Sequence, residues 1–96
     1  MNNLDLFSEK THFVVDISIK QRTGKKFITY ISNIPRSYDL PKILRYIKKL
    51  YKCGGAVLKK DDEEVIQLSG DQRKNVEDFF IRCNVMDKEN IKIHGF

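Results

Sequence analysis

The residues with the plainest chemistry in this sequence are cations without counter-ions. Residues 20 to 60 hold twelve lysines and arginines and one acid, Asp39, an excess of +11. The remaining residues hold six bases and twelve acids, so the net charge of +5 conceals a strongly basic segment. Solvated surfaces normally mix signs, and an excess of this size points to a polyanionic partner. Nucleic acid fits better than an acidic membrane, because the segment lacks exposed apolar anchors. The chemistry on offer is binding: lysine and arginine displace the counter-ions condensed on phosphates.

Catalytic constellations are absent from the sequence. It contains no G-x-S-x-G, no phosphate-cradling G-x-x-x-x-G-K-[ST], no H-E-x-x-H and no C-x-x-C. Ser18 and Ser32 fall in strands, and Ser69 precedes a helix without a histidine partner. No glycine-rich loop follows the first strand, which argues against an acylphosphatase-like enzyme. The acids Asp61, Asp62, Glu63 and Glu64 are adjacent, whereas calcium loops alternate their ligands and need a glycine turn. His12 and His94 stand apart and read as strand-surface residues. Cys53 and Cys83 read as two reduced, half-buried thiols. The expectation is a non-enzyme with no metal and no cofactor.

These side chains need elements to position them. Met1 to Thr11 is unpatterned and reads as a short mobile tail; residues 12–96 read as one domain. The tail carries no apolar run suited to a signal peptide, and no segment approaches the roughly 20 apolar residues of a membrane span. Alternation predicts a strand from His12 to Lys20, with Phe13, Val15, Ile17 and Ile19 inward, and a second from Phe27 to Ile34. Gly24 allows the tight turn between them, so Arg22, Lys25 and Lys26 sit on a cationic finger.

After Pro35, Ser37 or Asp39 caps a helix starting near Leu40, with Pro41 tolerated in its first turn. On a helical wheel Lys42, Arg45, Lys48, Lys49 and Lys52 fall within an arc of about 120°. Leu40, Ile43, Leu44, Ile47, Leu50 and Tyr51 occupy a separate arc from about 80° to about 200°. No acid pairs the basic stripe, and its self-repulsion would be relieved by phosphates. Gly54 then reads as the residue that stops the helix. Strands Gly55–Leu58 and Val65–Leu68 follow, joined by a loop of Lys59, Lys60, Asp61, Asp62, Glu63 and Glu64.

The stretch from Val65 to Phe79 turns strand into helix at Ser69-Gly70. Asp71 reads as the cap, and Val76, Phe79, Phe80 and Cys83 as the apolar stripe. Arg73 and Lys74 in the first turn oppose the helix dipole, which suggests an anion from outside. Val85–Glu89 connects to a final strand, Ile91–Phe96. The order β-β-α-β-β-α-β predicts an α+β two-layer sandwich with both helices on one face of a mainly antiparallel sheet. The strand order does not follow from the pattern.

Four blocks carry a family resemblance. They are Gln21-Arg22-Thr23-Gly24-Lys25-Lys26, Lys48-Lys49 with Cys53-Gly54-Gly55-Ala56-Val57, Val65 to Asn75 with its Gly70-Asp71-Gln72-Arg73 core, and Ile91-Lys92-Ile93-His94-Gly95-Phe96. Together they resemble the eukaryotic translation initiation factor 1 (Sui-type) family over residues 12 to 96. The Gly-Asp-Gln-Arg block and the His-Gly-Phe ending are specific in combination, and either alone is weak.

The resemblance implies a cytoplasmic, monomeric factor that binds the small ribosomal subunit near the peptidyl site, keeps it scanning, opposes pairing at non-AUG codons and leaves when AUG is recognised. By similarity Arg22, Gly24, Lys25 and Lys26 match a finger that contacts ribosomal RNA. Arg45, Lys48 and Lys49 match a helix face that grips small-subunit RNA; Lys42 and Lys52 extend it, with Arg73 and Lys74 as secondary contacts. Lys59 to Glu64 match a loop facing initiator tRNA, where the acids add repulsion. Gly70 and Asp71 read physically as a capped strand-to-helix turn that fixes how the second helix meets the sheet. Other initiation factors are the implied protein partners. Pro41, Lys52, Gly54 and Asn33 depart from the usual residues, and the second loop is slightly shorter. Two rival readings stand beside this one: a module of the same fold acting in reinitiation or ribosome recycling, and a protein-interaction adaptor using Tyr46 or Phe96.

Overall fold

Five strands and two helices follow the order expected from the hydrophobic pattern: β1 (Val15–Gln21), β2 (Phe27–Ser32), α1 (Leu40–Tyr51), β3 (Gly55–Lys60), β4 (Glu63–Ser69), α2 (Arg73–Arg82) and β5 (Ile91–Ile93). They are seen in a computed structural model that describes residues 13–95. The tail expected over residues 1–11, and also His12 and Phe96, lie outside the described residues. The sheet order is β3-β4-β2-β1-β5. Every neighbouring pair is antiparallel except β1 and β5, which run in parallel.

The register explains the layering. Ile17 lies opposite Ile31, Ile31 opposite Ile66, and Ile66 opposite Val57. Alternation puts Val15, Thr29 and Leu68 on that same face. Both helices cover it: Leu40, Ile43 and Ile47 from α1 and Val76, Phe79 and Phe80 from α2 join these strand residues in one buried cluster. Each buried aliphatic or phenyl side chain there stabilises the fold by about 1.5–3 kcal/mol. Gly55 is needed where β3 passes β4. A Cβ at that position would stand 2.7 Å from the Gln67 carbonyl oxygen and 2.9 Å from a Leu68 methyl.

Several element ends differ from the sequence reading. β1 starts at Val15, not His12, because its pairing with β5 begins at Val15 and that with β2 reaches only Asp16. β2 ends at Ser32, before Pro35, because Asn33 turns the chain with φ 64°. Asn tolerates that left-handed conformation better than most residues other than glycine. Asp39, not Ser37, caps α1, accepting from the Lys42 N–H at 3.1 Å. The left-handed residue that ends α1 is Lys52 (φ 50°), not Gly54. β5 is shorter than expected and ends at Ile93.

Two expected core positions are on the surface. Leu50 is 56% exposed. It lies at the edge of the apolar arc, beside Tyr46, where the sheet no longer covers the helix. Cys83 is exposed and Cys53 half-buried; both thiols are free. Cys83 lies just beyond the last helical residue, and Asn84 (φ 54°) then reverses the chain. Met86 takes the core place instead, with its N–H and that of Val85 bonded to the Phe80 carbonyl.

The turn from β4 into α2 hangs on one hydroxyl. Thr29 is wholly buried. Its Oγ1 donates to the Gly70 carbonyl at 2.7 Å and accepts from the Gln72 N–H at 2.8 Å. Gly70 holds φ 86° and donates its own N–H to the Phe27 carbonyl at 2.8 Å. The N-cap is therefore Gln72 rather than Asp71, and Gln72 makes no side-chain cap bond. Asp71 instead accepts from the Arg73 N–H at 3.3 Å and from Arg73 Nε and Nη2 at 2.9 and 2.8 Å. The anion expected near this cation comes from inside the chain.

A second polar knot ties down the segment after β5. Arg73 Nη1 donates to the His94 carbonyl at 3.1 Å, and the His94 ring meets Asp16 Oδ1 at 2.8 Å. Asn33 donates its side-chain amide to the same Asp16 carboxylate. These partners lower both carboxyl groups: the His94 hydrogen bond holds Asp16 down, and the Arg73 hydrogen bond holds Asp71 down.

Substitution tests both knots. Thr29→Val keeps the shape but strands the Gly70 carbonyl and the Gln72 N–H. Urea unfolding should show a loss of about 2–4 kcal/mol; a loss below about 0.5 kcal/mol would remove Thr29 from its role. Asp16 and Asp71 have folded values below the unfolded value of about 3.9. Their contribution is present above that value and disappears as pH falls through the folded values. The double variant Asp16→Asn, Asp71→Asn should be less stable at neutral pH and should lose less further stability between about pH 5 and about pH 2 than the parent. Parallel acid curves for the two proteins would contradict this.

Candidate nucleic-acid interface

The β1–β2 hairpin forms the first half of the basic surface. Gln21 pairs with Phe27, leaving residues 22–26 at the tip. The tip is closed by two bonds, Arg22 N–H to the Lys26 carbonyl at 2.8 Å and Lys26 N–H to the Thr23 carbonyl at 2.9 Å. Gly24 supplies φ 53°, and the Gln21 amide bonds its carbonyl. These bonds close the turn, and Arg22, Lys25 and Lys26 are all exposed.

α1 forms the second half. Burial of Leu40, Ile43 and Ile47 turns Lys42, Arg45, Lys48, Lys49 and Lys52 outward, and all five are exposed. The described residues include three ion pairs, Arg73–Asp71, Lys74–Glu77 and His94–Asp16, and none involves the hairpin tip or the α1 stripe. Lys48 and Lys49 lie in the last turn of α1, where the helix dipole favours cations. Lys52 holds a left-handed conformation that costs a non-glycine residue about 1 kcal/mol. Its lysine adds a charge to the stripe at a place where glycine would be less strained.

The register brings these two halves to one end of the sheet. Ile28 pairs with Ser69, and Gly55 with Leu68. The β1–β2 tip, the start of β3 and hence the C-terminal end of α1 therefore share an end, and α2 begins there as well. Of the two first-turn cations, Lys74 is exposed and 3.6 Å from Glu77. Arg73 is engaged by Asp71 and the His94 carbonyl, so it serves the junction with Gly70 and Asp71.

The acidic residues lie at the other end. The six-residue loop expected over Lys59 to Glu64 is mostly strand. Lys59 pairs with Glu64 and Lys60 with Glu63, and only Asp61 and Asp62 form the turn. Both hold positive φ, 50° and 66°, as a two-residue type I′ hairpin requires. The two carboxylates thus project at a tip, and the cross-strand Lys–Glu register supports the arms below it. A cleft of about 620 Å³ beside this tip is lined by Arg36, Lys59, Asp62, Glu63 and Glu64. Along β4 the two ends are about 20 Å apart, more than two Debye lengths at physiological salt, about 8 Å each. The acids therefore do not neutralise the basic end.

Two determinants escaped the sequence reading. Thr29 sits among apolar residues at a position that alternation assigns to the buried face, and that mismatch is a readable signal. His94 gave no such signal, because its partner Asp16 lies 78 positions away and only the parallel β1–β5 pairing joins them.

Comparison with known proteins identifies the family. Residues 12–86 match the family model described as Translation initiation factor SUI1. The "Protein translation factor sui1" of Schizosaccharomyces pombe is 47% identical over 83 residues, covering 85% of this chain and 76% of that protein. The "Eukaryotic translation initiation factor eIF-1" of Saccharomyces cerevisiae is 45% identical over 83 residues, 85% of this chain and 77% of that protein. The "Protein translation factor SUI1 homolog 1" of Arabidopsis thaliana is 45% identical over 84 residues, with 85% and 74% covered. A specific domain match over most of the described sheet and helices, together with these relatives, means that the chain belongs to the SUI1 family of translation initiation factors.

Proposed function

We propose that the basic end of this molecule grips RNA of the small ribosomal subunit near the peptidyl site. Bound there, the factor keeps the initiation complex scanning, opposes initiator tRNA at non-AUG codons, and is released when AUG is recognised. The observation that carries the reading is the gathering of unpaired cations, Arg22, Lys25 and Lys26 from the hairpin and Lys48, Lys49 and Lys52 from α1, at one end of the sheet. Lys42 and Arg45 continue the stripe along α1, and Lys74 flanks it. Gly24 shapes the finger. Arg73 supports the junction from within.

The acidic tip gives the selection step a physical basis. Asp61 and Asp62, with Glu63 and Glu64 behind them, face the tRNA, whose phosphates they repel. Repulsion between tip and tRNA couples full seating of the tRNA to departure of the factor. The action is binding without catalysis, in the cytoplasm, as a monomer among other initiation factors.

Two experiments test this. Lys48→Glu with Lys49→Glu should weaken co-sedimentation with purified small subunits about tenfold or more, and reduce the slope of log affinity against log salt by about two. Unchanged affinity would remove α1 from the interface. Asp61→Lys with Asp62→Lys should retain tRNA at mismatched codons and raise initiation at UUG in a reporter. An unchanged UUG to AUG ratio would dispose of the repulsion step.

A further inference from the structure

The sheet face turned away from the helices carries a second feature. At the base of the β1–β2 hairpin lies a cleft of about 380 Å³, lined by Lys20, Gln21, Arg22, Ile28, Tyr30 and Gln67. Its composition follows from the register. Lys20 is opposite Ile28, while Ser18, Tyr30 and Gln67 lie side by side across β1, β2 and β4. Alternation points all of them to the open face. Ile28 is only 9% exposed and forms an apolar floor. Tyr30 and Gln67 are half-buried and Lys20 and Arg22 are exposed. Among the described residues, the Tyr30 hydroxyl, the Gln67 amide, the Lys20 ammonium and the Arg22 guanidinium have no hydrogen-bond or ion-pair partner.

We propose that this cleft is a subsite for one unpaired nucleotide of an RNA strand. The base lies on the Tyr30 ring above Ile28, the Gln67 amide meets its hydrogen-bonding edge, and Lys20 and Arg22 hold the flanking phosphates. Three observations favour this occupant. The volume is at the small end of the ligand-site range, about 300–1,000 Å³, and fits one nucleotide rather than a helix. Arg22 belongs both to the cleft and to the cationic finger, so a backbone following Lys25 and Lys26 leads into it. An aromatic ring on an open sheet face with cations at its margin is an arrangement that captures splayed bases. The larger cleft at the opposite end lacks an acid-free wall: Asp62, Glu63 and Glu64 line it and repel phosphate.

The subsite rests on the RNA-binding reading above but adds a distinct requirement, an unstacked base, which a stripe of cations does not impose. Binding of the full chain to a short oligouridine and to a length-matched RNA duplex separates them. Tyr30→Leu should weaken oligouridine binding about tenfold, leave the duplex affinity unchanged and leave the salt slope unchanged, because no charge is lost. Tyr30→Phe should retain most of the affinity, and Gln67→Ala should weaken it without removing the ring. Should Tyr30→Leu fail to fold by circular dichroism, Gln67→Ala and crosslinking of 4-thiouridine RNA to Tyr30 test the same contact. The subsite is overturned if the wild-type chain does not bind oligouridine, if the folded variants bind it as the parent does, or if crosslinks map outside the cleft. In each of those cases, retained small-subunit binding that Lys48→Glu with Lys49→Glu weakens would leave the broader reading standing; its loss would remove both.

Discussion

Two helices share one face of a five-stranded sheet, and the Thr29 hydroxyl fixes where the second begins. It lies under the β4–α2 turn with no access to water, and it holds one carbonyl and one N–H of that turn at once. A buried polar group is tolerable only when both of its roles are satisfied. The requirement works in both directions. The turn needs the hydroxyl for Gly70 and Gln72, and the hydroxyl needs the turn. α2 is thereby aimed so that Val76, Phe79 and Phe80 reach the same cluster as Ile43 and Ile47 of α1. With the inner faces of both helices committed to the core, the cations of α1 have no place except the outside.

The same geometry explains why like charges are tolerated so close together. Lys48 and Lys49 sit at the negative end of the α1 dipole, which offsets part of their repulsion. Arg73, at the positive end of α2, has the opposite problem, and Asp71 resolves it locally by accepting from its N–H and its guanidinium. Two clusters of cations thus differ in kind. One is neutralised inside the chain and hardens a turn; the other is left without partners and remains available. Composition alone does not separate them, because both are lysines and arginines near helix ends.

This distinction marks how far the sequence could be read. Element order and the inward residues of β1 and most of those of α1 were legible, because they depend on periods of 2 and 3.6 along one segment. The α1 stripe was legible for the same reason. Leu50 was misread because a wheel shows an arc but not how much of it the sheet covers. Cys83 was misread because the wheel does not show where α2 stops and Asn84 turns. The strand order and the Asp16–His94 contact depend on pairing between distant segments, about which a local period says nothing. The acidic loop looked six residues long because charged residues conceal a strand; pairing of Lys59 with Glu64 and Lys60 with Glu63 reduces it to two.

That shortening bears on how the acidic tip acts. A six-residue loop could bend its carboxylates back toward Lys59 and Lys60. A two-residue turn on paired strands has little such freedom, and Asp61 and Asp62 are held at the apex by their left-handed backbone. The tip is then a rigid negative point on a stiff arm, and the cationic finger on β1 and β2 is its counterpart at the other end. Because salt screens charges over about 8 Å, each end is felt only by what lies against it. The molecule thus presents opposite charge at its two ends, with the sheet between them setting the distance.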